Sequence, residues 1–128
     1  MIKTIASVGL PVDEVLEIRK NRIMPENPTD DMKRISIVTG IHGDELEGQY
    51  VCFELQRRIE QDKGRLAGIV DIYPAMNPLG IDSITRGIPA FDLDMNRLFP
   101  GDIDGSMMEH VVARIMEDVA GSDCVLDI

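Results

Sequence analysis

The sequence predicts an α/β fold: a mixed, largely parallel sheet flanked by helices. Short runs rich in β-branched residues recur at 34–39, Ile69–Tyr73 and 124–128, and two spans with helical spacing of apolar residues, 44–61 and 106–119, lie between them. Strands that alternate with helices are joined by crossovers, which leave neighbouring strands parallel. A chain of 128 residues with 44% hydrophobic content is long enough for one such core.

Taken in order, residues 2–8 form a short β-prone run. Val15–Ile23 (VLEIRKNRI) alternates apolar and charged residues, which fits an edge strand better than a short helix. Two prolines and three acids between 24 and 32 mark an exposed loop. RISIVT at 34–39 is a core strand stopped by Gly40. The span 44–61 is expected to be helical, with Leu46, Tyr50, Phe53 and Leu55 as its apolar positions and Asp44 and Glu45 in its first turn, where acids suit the helix dipole. A turn at 64–68 leads to a second core strand, IVDIY, ended by Pro74.

Residues 75–101 have little periodicity, and a structureless stretch of that length in a compact domain usually lines a site or is disordered. Ser106 with Glu109 three residues later is a capping-box signature for a helix running to Val119. CVLDI at 124–128 then reads as a third core strand. It runs into the last residue without a turn or polar tail, so it either closes the sheet at an edge or belongs to a chain that continues.

Twenty-three acidic against thirteen basic residues give a net charge of −10, which argues against nonspecific nucleic-acid binding and docking on anionic membranes. A few converging arginines can still reverse the field locally. Eight Met and no Trp point to methionine as a gap-filler of the core. Cys52 and Cys124 sit far apart in apolar segments and read as buried free thiols. With no apolar run of transmembrane length and a poor signal-peptide start, the expectation is a soluble cytoplasmic protein.

The chemistry centres on TGIHGDELEG at 39–48. His42 leaves a strand and Glu45 follows three residues later, in the crevice where open α/β sheets bind their ligands. The pair could hold a metal, or could be a turn histidine beside a solvated acid. Arg86 and the adjacent Asn96 and Arg97 lie in the long irregular stretch, where a guanidinium gives a planar grip on a carboxylate. His110 belongs to the second helix and reads as a surface or partly buried histidine. Asp127 reads equally as a plain strand-end acid or as a neighbour of the site.

GIHGDELEG, AMNPLGIDSITRG and DLDMNRLFPG, in that order and spacing, resemble the succinylglutamate desuccinylase/aspartoacylase family of the zinc carboxypeptidase-like superfamily. The resemblance implies zinc (Zn2+) held by His42, Glu45 and a histidine expected just after Ile128. It implies that Arg86 polarises the scissile carbonyl, that Asn96 and Arg97 hold the carboxylate of a small N-acyl amino acid, and that Asn77 and Pro78 belong to a loop shaping the pocket wall. The family's Asp-Leu-Asn-Arg reads Asp94-Met95-Asn96-Arg97 here. Residues 1–128 are then the N-terminal part of one zinc-hydrolase domain, incomplete at the C-terminus, with the general base further on. The whole protein is expected to be a deacylase, with a zinc carboxypeptidase-type peptidase as the alternative. The 128 residues alone are expected to be an inactive half-site, and the oligomeric state is left open.

Overall fold

The computed structural model describes residues Met1–Ile128. Its strands are β1 (Ile2–Gly9), β2 (Val15–Ile23), β3 (Arg34–Val38), β4 (Ile69–Tyr73) and β5 (Cys124–Asp127). The α-helices are α1 (Glu47–Gln61), α2 (Pro78–Ser83) and α3 (Met107–Ala120). One five-stranded sheet has the order β1-β2-β4-β3-β5. β1–β2 and β2–β4 pair antiparallel, whereas β3–β4 and β3–β5 pair parallel, so the sheet is mixed as expected, with parallel pairing confined to the half that holds β3, β4 and β5.

Alternation along the strands builds two apolar layers. Ile37 and Ile72 point to one face and pack with Ile23, Val70 and Cys52 beneath α1. Their neighbours Val38 and Tyr73 point to the other face, into the larger core under α3, with Val111, Val112, Ile115 and Val119. Met76, Met95 and Met108 are all buried in that core, the gap-filling role expected of a chain so poor in aromatics. Ser106 caps α3 in a complete capping box with Glu109, as its spacing indicated.

Several expectations are corrected. β2 is not an edge strand: β1 pairs along its length and β4 along Asn21–Ile23, and Lys20 and Arg22 face protein while Arg19 stays exposed. Within these 128 residues β5 is the outermost strand beside β3, and Cys124, Val125 and Leu126 are exposed there. Only Cys52 is a buried thiol.

The apolar face of α1 is also different. Tyr50 and Phe53 are exposed, and the buried residues are Gly48 and Cys52. The reason is close approach: a Cβ on Gly48 would lie 1.7 Å from the Thr39 hydroxyl oxygen, so small residues seat the helix on the sheet. The long irregular stretch contains α2, which Pro78 opens and Asn77 caps by accepting a hydrogen bond from the Gly80 amide. No helix is long and apolar enough to cross a membrane.

Candidate active site

β3 ends at Val38, and the chain leaves the sheet through Gly40, whose φ of +73° suits glycine. The turn that follows is held by backbone contact with α2. A Cβ on Gly43 would fall 1.9 Å from the Gly80 carbonyl carbon and 2.2 Å from its oxygen. Neither group is a flexible side-chain tip, so Gly43 is required by proximity rather than by its dihedral angle. Gly43→Ala is therefore expected to destabilise the fold by about 1–3 kcal/mol, the usual range for overpacking. Urea unfolding checks this, and an unchanged midpoint would show that the turn gives way freely.

This packing also explains a correction at Glu45. The residue was expected in the first turn of α1, but the helix begins at Glu47. The Glu45 amide instead closes a turn on the His42 carbonyl, and Leu46 at the N-cap offers no side-chain acceptor.

The turn sets His42 between two carboxylates. Its Nδ1 lies 3.2 Å from Glu45 Oε1 and its Nε2 lies 3.1 Å from Asp94 Oδ1. His42 is nearly buried, while the side chain of Glu45 is 62% exposed. Arg86 Nη1 reaches Glu45 at 3.4 Å, and its Nη2 stands 3.9 Å from Asp94. Arg97 Nε is also 3.9 Å from Asp94. All five residues singled out by the sequence are thereby brought to one place. A cleft of about 210 Å³ lies there, lined by Gly40, Ile41, His42, Glu45, Asn96 and the β5 end residues Asp127 and Ile128.

Asp94 is the residue that sequence reasoning missed. Its carboxylate caps the short 3-10 turn Met95–Arg97 by accepting from the Asn96 amide at 3.0 Å. The same Oδ1 meets His42 Nε2. Partial burial pushes the Asp94 carboxyl upward, but the Asn96 amide, His42 and Arg86 outweigh it and hold it below the usual carboxylate range. In the tautomer that carries its proton on Nε2, His42 donates to Asp94 and turns the Nδ1 lone pair toward Glu45. Its neighbours in sequence carried the signal, since Asp94 directly precedes the Asn-Arg pair.

Asn77 does not line the cleft. It is buried and ties α2 to the following loop by donating to the Gly87 carbonyl at 3.0 Å, next to Arg86. Ile84, at φ 52°, holds a left-handed conformation in the same loop, unusual for a β-branched residue. His110 sits on α3 with its Nδ1 2.8 Å from the Ile103 carbonyl, away from the cleft, as expected.

An imidazole nitrogen and a carboxylate oxygen that converge at a cleft suit zinc. They would supply two of the three protein ligands usual for a catalytic site, and no three His, Cys, Asp or Glu side chains of these residues are placed to hold one ion together.

The chain is similar to known proteins over most of its length. Residues 31–128 match the model of the succinylglutamate desuccinylase/aspartoacylase catalytic domain. Over 92 residues the chain is 37% identical to an N-alpha-acetyl-L-2,4-diaminobutyric acid deacetylase of Halomonas elongata, covering 70% of this chain and 26% of that protein. An aspartoacylase family protein of Mesorhizobium loti superposes with a TM-score of 0.77 at 26% identity, over 99% of this chain and 40% of that one. A succinylglutamate desuccinylase/aspartoacylase of Rhodobacter sphaeroides gives 0.76 at 27% identity, over 98% and 39%. An ectoine utilization protein of Ruegeria pomeroyi shares the fold at 22% identity and TM-score 0.76, over 98% and 38%. The chain thus spans about a quarter of the curated relative and about two-fifths of these structures.

Proposed function

The chain belongs to the succinylglutamate desuccinylase/aspartoacylase family, and from that premise we propose that the whole protein is a zinc-dependent deacylase of a small N-acyl amino acid. The observation that carries this reading is the convergence of His42 Nδ1 and Glu45 Oε1 beside Asn96, with Arg86 reaching Glu45 and Asp94 and Arg97 reaching Asp94. Members of this family are deacylases, and the similarity to a diaminobutyric acid deacetylase favours an acetyl group over a succinyl one.

His42 and Glu45 would hold the metal. Zinc bound there would supply a Lewis acid and lower the pKa of a water to roughly 7. Asp94 orients His42, so that the metal-facing nitrogen is fixed before any ligand arrives. Arg86 sits within 3.4 Å of Glu45, close enough to stabilise the oxyanion that forms as the amide carbonyl is attacked. Arg97, 84% exposed and only loosely paired with Asp94, keeps its guanidinium free to grip the substrate carboxylate, with Asn96 adding an amide beside it. A second histidine ligand and the general base lie, on this reading, outside these 128 residues.

The test is hydrolysis by the full-length, zinc-loaded protein of N-acetyl and N-succinyl amino acids, with a dipeptide bearing a free carboxylate as the peptidase control. Arg97→Met is expected to raise KM about 10–100-fold with a smaller change in kcat, the loss of a charged anchor that binds ground and transition states alike. Cleavage of the dipeptide without cleavage of any N-acyl amino acid would transfer the assignment to a carboxypeptidase. An unchanged KM in the variant would remove Arg97 from the substrate site.

A further inference from the structure

At the opposite end of the parallel strands, five of the chain's thirteen cations converge. Arg34 opens β3, whereas His42 follows that strand's end, so the two regions lie at opposite ends of the sheet. A cleft of about 420 Å³ runs here between the sheet and the last turns of α3. Lys20, Arg22 and Arg34 form its floor, and Lys3 and Arg114 stand at its walls.

The charges do not balance. Lys20, Arg22 and Arg34 have side chains only 2%, 17% and 16% exposed. They share one fully buried carboxylate, Asp71, and one partly exposed carboxylate, Asp118. Lys20 bonds to both acids, and Arg22 grips Asp71 through Nε and Nη2. Arg34 spends Nε on the Ser122 hydroxyl and Nη2 on the Asp118 carbonyl, which leaves Nη1 3.7 Å from Asp71.

Above this floor Arg114 pairs with Glu117, but Lys3 makes no ion pair and stands directly opposite Lys20 in the β1–β2 register. Like charges opposed across a ladder repel, and an excess of buried cations is costly unless an anion joins them. In a chain of net charge −10 this is a local reversal of sign with a cavity at its centre.

We propose that this cleft is a binding site for a small phosphate-type oxyanion, separate from the active site. Its donors come from strands on one side and from a helix on the other. That arrangement suits an anion with acceptor oxygens in every direction better than a flat carboxylate. The ligand is either free phosphate or the phosphate group of a small ester.

The full-length protein is titrated calorimetrically with inorganic phosphate and, separately, with glycerol phosphate. A dissociation constant of about 1 mM or tighter for inorganic phosphate is expected. Tight binding of both ligands would make an ester the source, whereas binding of inorganic phosphate alone would make it the free ion. The double variant Lys3→Gln/Arg114→Gln removes wall cations that do not touch Asp71, so its thermal midpoint without phosphate should stay unchanged. Its affinity should fall at least about tenfold, since each lost charge-assisted bond is a large part of such a weak affinity. Arg97→Met should bind phosphate as the unmodified protein does. The proposal fails if phosphate does not bind, if the double variant binds it normally, or if Arg97→Met abolishes binding and so places the anion in the active site.

Discussion

His42→Ala in the full-length protein is expected to abolish zinc retention and to lower hydrolysis by about three orders of magnitude or more, since metal-supplied chemistry is worth several kcal/mol in the transition state. His42 is the one side chain within hydrogen-bond distance of both carboxylates of the site, Glu45 through Nδ1 and Asp94 through Nε2, while Arg86 reaches Asp94 only at 3.9 Å. Alanine would leave Glu45 with only Arg86 for company, an ion pair instead of a ligand pair. The fold should survive, because the turn is secured by the Gly43–Gly80 backbone contact and not by the imidazole. Metal content by elemental analysis, rate on an N-acetyl amino acid, and the thermal midpoint separate these outcomes. Wild-type zinc content with full activity would remove the metal reading. Loss of the fold would show instead that His42 with Asp94 holds the 3-10 turn in place.

The parts of the molecule that were legible in its sequence are those governed by neighbours along the chain. RISIV and IVDIY form strands because β-branched residues dominate both, and α3 begins where Ser106 and Glu109 can cap one another. The site residues were legible because they are short clusters, each complete within a few positions. What could not be read depends on contacts between distant segments. The start of α1 is set by Gly43 meeting α2, and its buried face by Gly48 meeting Thr39, so apolarity alone pointed to Tyr50 and Phe53. α2 did carry a signal, since Asn77 before Pro78 is an N-cap followed by a first-turn proline, but six residues are too few for periodicity to show. Asp94 is 52 residues from the histidine it orients. The charges of β2 suggested an exposed strand, yet Lys20 is almost fully buried because its partners lie on β4 and α3.

That buried network is the second place where one substitution should act strongly. Asp71→Asn keeps the size of the side chain and removes its charge. Asp71 is fully buried and accepts from Lys20 Nζ at 2.8 Å and from Arg22 Nε and Nη2 at 2.7 and 2.6 Å. The amide cannot accept as many bonds, and it leaves Lys20 and Arg22 with only Asp118 to offset them. Removing one partner of a buried ion pair costs about 3–5 kcal/mol. That is a large fraction of the roughly 5–15 kcal/mol by which an ordinary domain is stable. Burial alone would push the Asp71 carboxyl up, but the hydrogen bonds from Arg22 and Lys20 hold it below the usual carboxylate range. A carboxylate whose folded pKa is depressed contributes stability above its unfolded value of about 3.9, and that contribution is lost as pH falls through the lower folded value. Urea unfolding should therefore show a wide gap between wild type and Asp71→Asn at neutral pH, narrowing below about pH 4 as the wild-type carboxylate is protonated. A gap that stays constant into acid would mean that shape and hydrogen-bond count matter at this position and charge does not. No gap at neutral pH would mean that the three buried cations are neutralised by something other than Asp71, and an anion in the cleft above them would be the first candidate.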